Sequence, residues 1–124
     1  MFSQTFLEKQ FTSNLQTPLF VVLADLYYNK RKFKYAERVC RIGLKHDKDN
    51  VDGLYLLAKT LLVGGDYLAS EKLLKKVLYH NSSHLNALIL LISLLEALGR
   101  SSKPITKYLS LGFPVFQNNQ ISPY

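Results

Sequence analysis

Apolar residues along this chain recur at a spacing of 34 positions, which we call the repeat period. In the first half of each interval, the residues that keep this phase are Leu23, Leu57 and Leu91, then Phe20, Leu54 and Leu88, then Tyr27, Leu61 and Leu95. In the second half they are Cys40, Leu74 and Tyr108, then Val39 and Leu73, then Leu44 and Leu78. A fixed period of this length is the sequence signature of a repeat architecture, so we predict three copies of one structural unit.

Each repeat contains two stretches with helical periodicity. In the first repeat, the apolar residues of segment 20–27 follow the i, i+3, i+4, i+7 spacing of one helix face. The polar segment 29–31 interrupts this pattern, and a second helix is predicted after it. The predicted buried face of this second helix is Ala36, Val39, Cys40, Gly43 and Leu44. In the second repeat, Gly64 and Gly65 mark the turn, because glycine tolerates the positive φ that ends a helix.

Two antiparallel helices in each repeat period resemble the tetratricopeptide repeat family over residues 17–118. The segment Gly-Asp-Tyr-Leu-Ala-Ser at 65–70 matches best, with Ser70 at the family's small-residue position, and Ala36 holds that position in the first repeat. The resemblance implies an all-α fold, a right-handed α-solenoid of antiparallel helix pairs, with repeats at 17–50, 51–84 and 85–118. In the third repeat, Pro104 stands where the family has alanine, so we predict a shortened helix from about Pro104 to Leu111.

The segments outside the repeats leave several alternatives open. Residues 1–16 have rough helical spacing and form either a capping helix on the first repeat or an arm that docks on a partner. The end of the chain is predicted to be extended, with Phe113, Val115 and Phe116 anchoring it before the tail at 119–124. Segment 85–98 is apolar nearly all round, which is typical of a helix that is covered on every side. Its cover is the C-terminal segment, a second copy in a homodimer, or a partner in a larger complex.

The sequence contains no constellation typical of an enzyme. It has no glycine-rich phosphate loop, no GxSxG and no HExxH, and its single cysteine, Cys40, falls at a buried apolar position. His80 and His84 are four residues apart, but no third metal ligand is near them in the sequence. We therefore expect a non-enzymatic protein without cofactor or metal.

The resemblance also implies where a partner binds. In this family the first helix of each repeat lines a concave groove that holds a peptide or helix of another protein. The corresponding positions here are Val21, Asp25 and Tyr28, then Tyr55, Lys59 and Leu62, then Ile89, Ser93 and Glu96. Some family members grip a chaperone's terminal carboxylate with lysine, asparagine and arginine. The matching positions here hold Val21, Asp25, Leu56, Asn86 and Leu90, so we expect no such clamp.

Basic residues give the chain a net charge of +7 and are concentrated on the second helices of the repeats. The predicted basic convex face consists of Arg31, Lys34, Arg38, Arg41 and Lys45 in the first repeat and Lys72, Lys75 and Lys76 in the second. Either this face is solvated, or it binds a nucleic acid, an anionic surface or an acidic protein. Base-specific recognition is not expected, because no set of base-reading residues recurs.

The remaining sequence features concern secretion, membrane insertion and cellular location. The N-terminal segment has no basic region followed by an apolar run, and the longest apolar stretch is too short to span a bilayer. We expect a soluble cytoplasmic protein that acts as an interaction scaffold, either alone or as a subunit of a larger assembly. Binding of nucleic acid through the basic convex face is the alternative function.

Overall fold

The computed structural model describes residues 3–99, and within this range the chain is all-helical, with no strand. The expected all-α class is thereby confirmed. The six helices are α1 (Gln4–Ser13), α2 (Phe20–Asn29), α3 (Phe33–His46), α4 (Val51–Val63), α5 (Tyr67–His80) and α6 (Leu85–Ala97). None of these helices is long and apolar enough to cross a membrane.

The helix boundaries recur with the repeat period of the sequence. Helix α3 begins at Phe33 and α5 begins at Tyr67, one repeat period later, and their last residues keep the same spacing. Helices α4 and α6 are related in the same way, from first residue to last. The repeated apolar pattern therefore corresponds to a repeated order of helices and turns.

The turn after the first helix of each repeat contains a residue with a positive φ. Arg31, Gly65 and Gly99 have φ values of 63°, 87° and 67°, and each follows the one before it by one repeat period. The N–H of Gly65 donates to the carbonyl oxygen of Leu62, and the next N–H, from Asp66, donates to Leu61. Arg31 and Lys32 make the equivalent pair of bonds at the end of α2, so α2 and α4 both end in a Schellman motif.

This geometry corrects the predicted position of Arg31. We expected its side chain on the second helix with the other basic residues, but Arg31 is the left-handed residue of the α2–α3 turn. Lys32 follows it as the residue before α3. The basic residues of the first repeat that do lie on a helix are Lys34, Arg38, Arg41 and Lys45.

Replacing Arg31 with glycine is expected to stabilise the fold by about 1 kcal/mol, because a non-glycine residue with φ of 63° is strained. The urea midpoint of unfolding measures this effect. Lys30→Gly is the control, since Lys30 has an ordinary φ of −87° and glycine there relieves no strain. Because this change also removes the hydrogen bond from Lys30 Nζ to Gln4 Oε1, the control should be no more stable than the wild type. An Arg31→Gly variant no more stable than the wild type would contradict the assigned turn.

Polar side chains cap the starts of α4 and α6. The Asn50 side chain accepts a hydrogen bond from the N–H of Gly53 at 2.9 Å, and His84 Nδ1 accepts one from Ala87 at 3.0 Å. Asn50 and His84 are one repeat period apart, so they cap equivalent helices. His84 thus has a structural role at the start of α6.

The first compact unit, residues Met1–Leu73, has a core built from α1 to α4. Helix α1 contributes Leu7 and Phe11 to this core and packs against α2. The other buried members of the cluster are Phe20, Leu23, Ala24, Tyr27, Ala36, Val39, Cys40, Leu56, Leu57 and Leu61. The apolar residues of the first repeat that recur with the repeat period therefore face one core.

Phe20 lies in a slot that exists because two helices carry glycine. A Cβ atom added at Gly43 of α3 would overlap the ring carbons of Phe20. One added at Gly53 of α4 would lie 2.8 Å from Phe20 Cζ. Both helices therefore approach the ring more closely than any residue with a side chain would allow.

The small residues that carried the family resemblance are fully buried. Ala36 has no exposed surface, and neither has Ser70 of α5. Ser70 Oγ donates a hydrogen bond to the carbonyl oxygen of Ala58 in α4 at 2.9 Å. A small side chain permits this contact because the hydroxyl reaches the backbone of the neighbouring helix directly.

The second compact unit, residues Leu74–Tyr124, contains the end of α5 and all of α6. Helix α6 buries Ala87, Leu88, Leu91, Leu94 and Leu95. Leu85 and Ile89 are about half exposed, at 47% and 52%. Helix α6 is thus covered on part of its circumference rather than all round.

Several expectations fall outside the described residues. These are the shortened helix predicted from Pro104 to Leu111, the anchoring residues Phe113, Val115 and Phe116, and the tail at 119–124.

Candidate partner-binding surface of helices α2 and α4

A shallow depression lies between α2 and α4 and has a volume of about 350 Å³. Its lining consists of Val21, Val22 and Asp25 from α2 and Asp52, Tyr55, Leu56 and Lys59 from α4. The spacing within each helix is that of one face, so α2 and α4 present their side chains to a common surface. We refer to this feature as the α2–α4 depression.

Lys59 lies between two tyrosine rings at this surface. Its Nζ is 4.7 Å from the centroid of the Tyr28 ring and 5.3 Å from that of Tyr55. The Tyr28 ring also meets Phe33 edge-on, with centroids 5.3 Å apart. These contacts hold two aromatic side chains and a cation in a defined arrangement, since an ammonium group is attracted to the face of an aromatic ring.

The charges of the depression are of both signs. Asp25 accepts a hydrogen bond from the Asn29 amide at 3.4 Å, while Asp52 lies in the first turn of α4, where the helix dipole favours a carboxylate. Burial, and then the neighbouring Tyr28, raise the pKa of the Tyr55 hydroxyl, so it remains a hydrogen-bond donor at neutral pH. The surface therefore offers carboxylates, an ammonium, a phenol and an apolar floor.

Four of the groove positions implied by the family resemblance line this depression together: Val21, Asp25, Tyr55 and Lys59. Tyr28 joins them through its contact with Lys59. Leu62 is half-buried on the last turn of α4 and is not part of the lining. The lining residues that the groove prediction missed are Val22, Asp52 and Leu56.

The other three predicted groove residues belong to the second compact unit. Ile89, Ser93 and Glu96 lie on α6, and all three side chains are exposed. They follow i, i+4, i+7 spacing on one side of that helix, away from its buried residues. Within their own unit they form an accessible face.

A second depression, of about 460 Å³, lies on the outward face of α3. Its lining consists of Lys34, Glu37, Arg38, Arg41, Ile42 and Lys45. Arg41 Nε is 2.9 Å from a carboxylate oxygen of Glu37. Four residues of the predicted basic convex face thus meet at one surface, which we call the α3 basic face.

The remaining basic residues of that prediction lie on α5. Lys72 and Lys76 are exposed, whereas Lys75 is half-buried. They are not part of the α3 basic face. The residues predicted for the basic convex face therefore lie on α3, on α5 and, for Arg31, in the α2–α3 turn.

Cys40 is fully buried in the core of the first compact unit. Burial raises the pKa of its thiol to about 12. Because the thiolate is the reactive form, a thiol held protonated in the core is inert. Within the part of the chain that the structure describes, no group of three or more His, Cys, Asp or Glu side chains could hold a metal ion.

The raised pKa of Cys40 predicts a loss of stability in alkali. The unfolded thiol ionises near pH 9 and the folded thiol near pH 12, so its contribution is complete below pH 9 and declines above it. Raising the pH from 7.5 to 10 should remove about 1 kcal/mol through this residue. The test compares urea midpoints of wild type and Cys40→Ala at both pH values.

In that comparison, the midpoint of the wild type should fall more than that of Cys40→Ala. Part of the decline should persist in the variant, because burial also raises the pKa of Tyr27 to about 12. Equal declines in the two proteins would show that the thiol is accessible to solvent.

A scan against protein-family models finds no match to this chain, and a search of curated proteins finds no significant relative. The function is therefore inferred from the geometry of these surfaces.

Proposed function

We propose that this chain is a helical-repeat module of the tetratricopeptide type, without catalytic activity, that binds a peptide or helix of a partner protein. The observation that carries the proposal is the α2–α4 depression, with Lys59 held between Tyr28 and Tyr55. The recurrence of helix boundaries, left-handed turn residues and helix caps with the repeat period supports the repeat architecture.

The chemistry of the depression suits a polypeptide ligand. Val21, Val22 and Leu56 provide apolar contact area, and Val22 is 41% exposed, which leaves it available to a partner. Tyrosine supplies a large contact area at a low cost in conformational entropy and is enriched where binding energy is concentrated. Asp25 and Lys59 are placed to pair with charges beside an apolar anchor. An amphipathic helix or extended peptide has this combination of side chains.

The buried, reduced thiol of Cys40 suits a reducing compartment such as the cytoplasm. A role as a small subunit of a larger assembly is part of the proposal, since the exposed Leu85 and Ile89 of α6 leave apolar surface available for contact. The scaffold has no chemistry of its own, so its activity is the binding itself.

The proposal is tested by affinity capture of the tagged chain from its own cell lysate, with and without nuclease, followed by mass spectrometry. The expected result is a stoichiometric protein partner that survives nuclease treatment. The double variant Tyr28→Ala, Tyr55→Ala should lose that partner by at least tenfold, since truncating a few central aromatic residues removes much of the binding energy at an interface.

Tyr79→Ala is the matched control for the tyrosine variants. Tyr79 is 84% exposed and lies on α5, outside the depression. It should leave the partner's yield unchanged. Loss of every partner on nuclease treatment, or equal loss in the control and the double variant, would refute binding at the α2–α4 depression.

A further inference from the structure

The α3 basic face is a regular row of cations. Lys34, Arg38, Arg41 and Lys45 follow i, i+4, i+7 and i+11 spacing, so they share one side of α3. All four side chains are exposed, and they surround the depression of about 460 Å³. Along the helix axis the row extends for about 16 Å, given a rise of about 1.5 Å per residue.

Little negative charge within the protein offsets this row. Glu37 is the one acidic residue in the lining, and its carboxylate is engaged by Arg41 at 2.9 Å. Among residues 3–99, no ion pair engages Lys34, Arg38 or Lys45. An extended anion therefore fits this face better than a compact or neutral ligand.

An exposed aromatic ring lies at the edge of the row. Tyr35 is 53% exposed, and the Arg38 guanidinium carbon is 6.0 Å from its ring centroid. The Tyr35 ring also contacts the Tyr27 ring, with centroids 5.4 Å apart and the planes tilted by 35°. Tyr35 is thus supported from within the fold while part of its ring surface faces solvent.

Arg38 and the Tyr35 ring also line a third depression, of about 350 Å³. Tyr35 and Arg38 line it together with Tyr27, Phe11 and Val39. Glu8 is also in the lining, but its carboxylate accepts hydrogen bonds from the Tyr27 hydroxyl and the Gln4 amide. A mainly apolar, aromatic-walled recess therefore adjoins the row of cations.

We propose that this face binds a single-stranded nucleic acid, with its phosphates along Lys34, Arg38, Arg41 and Lys45 and one base stacked on Tyr35. A positively charged track beside an aromatic platform is the arrangement by which proteins bind single strands without reading their sequence. An acidic peptide such as polyglutamate uses the cations but has no base to stack on the tyrosine. A duplex keeps its base faces stacked inside and gains nothing from Tyr35. The site lies on α3, so it is independent of binding at the α2–α4 depression.

Fluorescence anisotropy with a labelled 12-nucleotide oligouridylate tests the phosphate contacts. The complex should form at 50 mM salt and weaken about 50-fold at 200 mM, the dependence expected for about four neutralised phosphates of a single strand. No binding at 50 mM, or binding that is insensitive to salt, overturns the proposal.

Matched variants test the residues. Arg38→Gln and Arg41→Gln should each weaken binding severalfold and lower the salt dependence, whereas Lys9→Gln, which removes an exposed cation on α1, should change neither. Tyr35→Leu keeps the charge and the apolar packing but removes the stacking surface, so affinity should fall about tenfold. Thermal unfolding of each variant verifies that the fold is retained.

Competition separates a single-stranded nucleic acid from other polyanions. Polyglutamate of matched charge should compete at least tenfold more weakly than unlabelled oligouridylate, because it makes no stacking contact. Equal competition together with an unchanged affinity for Tyr35→Leu would show that the face is a general acceptor for acidic polypeptides. That result would overturn the proposal of a single-strand nucleic-acid site.

Discussion

Replacing Gly43 with alanine is expected to lower the free energy of unfolding by about 2 kcal/mol. The added methyl group would overlap the Phe20 ring, which is itself buried between α3 and α4, so either the ring or the helix must move. The higher helix propensity of alanine offsets only part of this cost. Urea denaturation followed by far-UV circular dichroism measures the difference.

Two comparisons make this prediction specific to the ring. Gly64→Ala should be close to neutral, because a Cβ there would meet only backbone oxygens at 3.6 Å and beyond. Phe20→Leu in combination with Gly43→Ala should recover part of the lost stability. The sequence itself pairs Leu54 with Val77 at the equivalent positions of the next repeat. A Gly43→Ala variant as stable as the wild type would show that the slot around Phe20 is wider than described.

Replacing Leu7 with alanine is expected to lower the free energy of unfolding by about 3 kcal/mol. Leu7 is 1% exposed and belongs to the core cluster of the first compact unit, so truncation leaves a cavity. Phe6→Ala is the neighbouring control. Phe6 is 41% exposed on the same helix, and its truncation should cost less than about 1 kcal/mol.

The Leu7 variant distinguishes the two alternatives for the N-terminal segment. A large loss shows that α1 is part of the folded core and caps the first repeat. If Leu7→Ala and Phe6→Ala both unfolded at the wild-type midpoint, α1 would instead be an arm that leaves the fold and docks elsewhere.

The repeat period predicted the order of the helices because apolar side chains at that spacing mark the faces that become buried. The turn at Gly65 was also predictable, since glycine is the residue that adopts positive φ most readily. The interruption at 29–31 predicted a break in the helix near Arg31, but nothing in an arginine signals a left-handed conformation. Only the equivalent position of Gly65 in the next repeat could have revealed it.

Other features depend on distances between helices, which one sequence does not contain. Gly43 and Gly53 look like weak helix formers, and their purpose becomes visible only when the Phe20 ring is placed between them. His84 caps α6 through its Nδ1. Its spacing from His80 did not reveal this role, because histidine is an uncommon capping residue that no simple pattern predicts.

The candidate site was partly predictable for similar reasons. Helical periodicity and the family resemblance identify which side of α2 and α4 faces outward, and this placed Tyr28, Tyr55 and Lys59 on one surface. The contact of a single ammonium with both rings depends on the separation of the two helices, so it could not be derived from spacing alone. Val22 was missed because it borders the face that periodicity assigns to Val21.

Site-specific photo-crosslinking in cells can show whether a partner binds at the α2–α4 depression. Val22 is replaced by p-benzoylphenylalanine, since its side chain is exposed at the α2–α4 depression, and Tyr79 on α5 is replaced in the same way as a control. We expect a discrete polypeptide adduct from position 22, none from position 79, and loss of the adduct with Tyr28→Ala and Tyr55→Ala. The absence of an adduct at position 22, or equal adducts at both positions, would contradict binding of a partner at this surface.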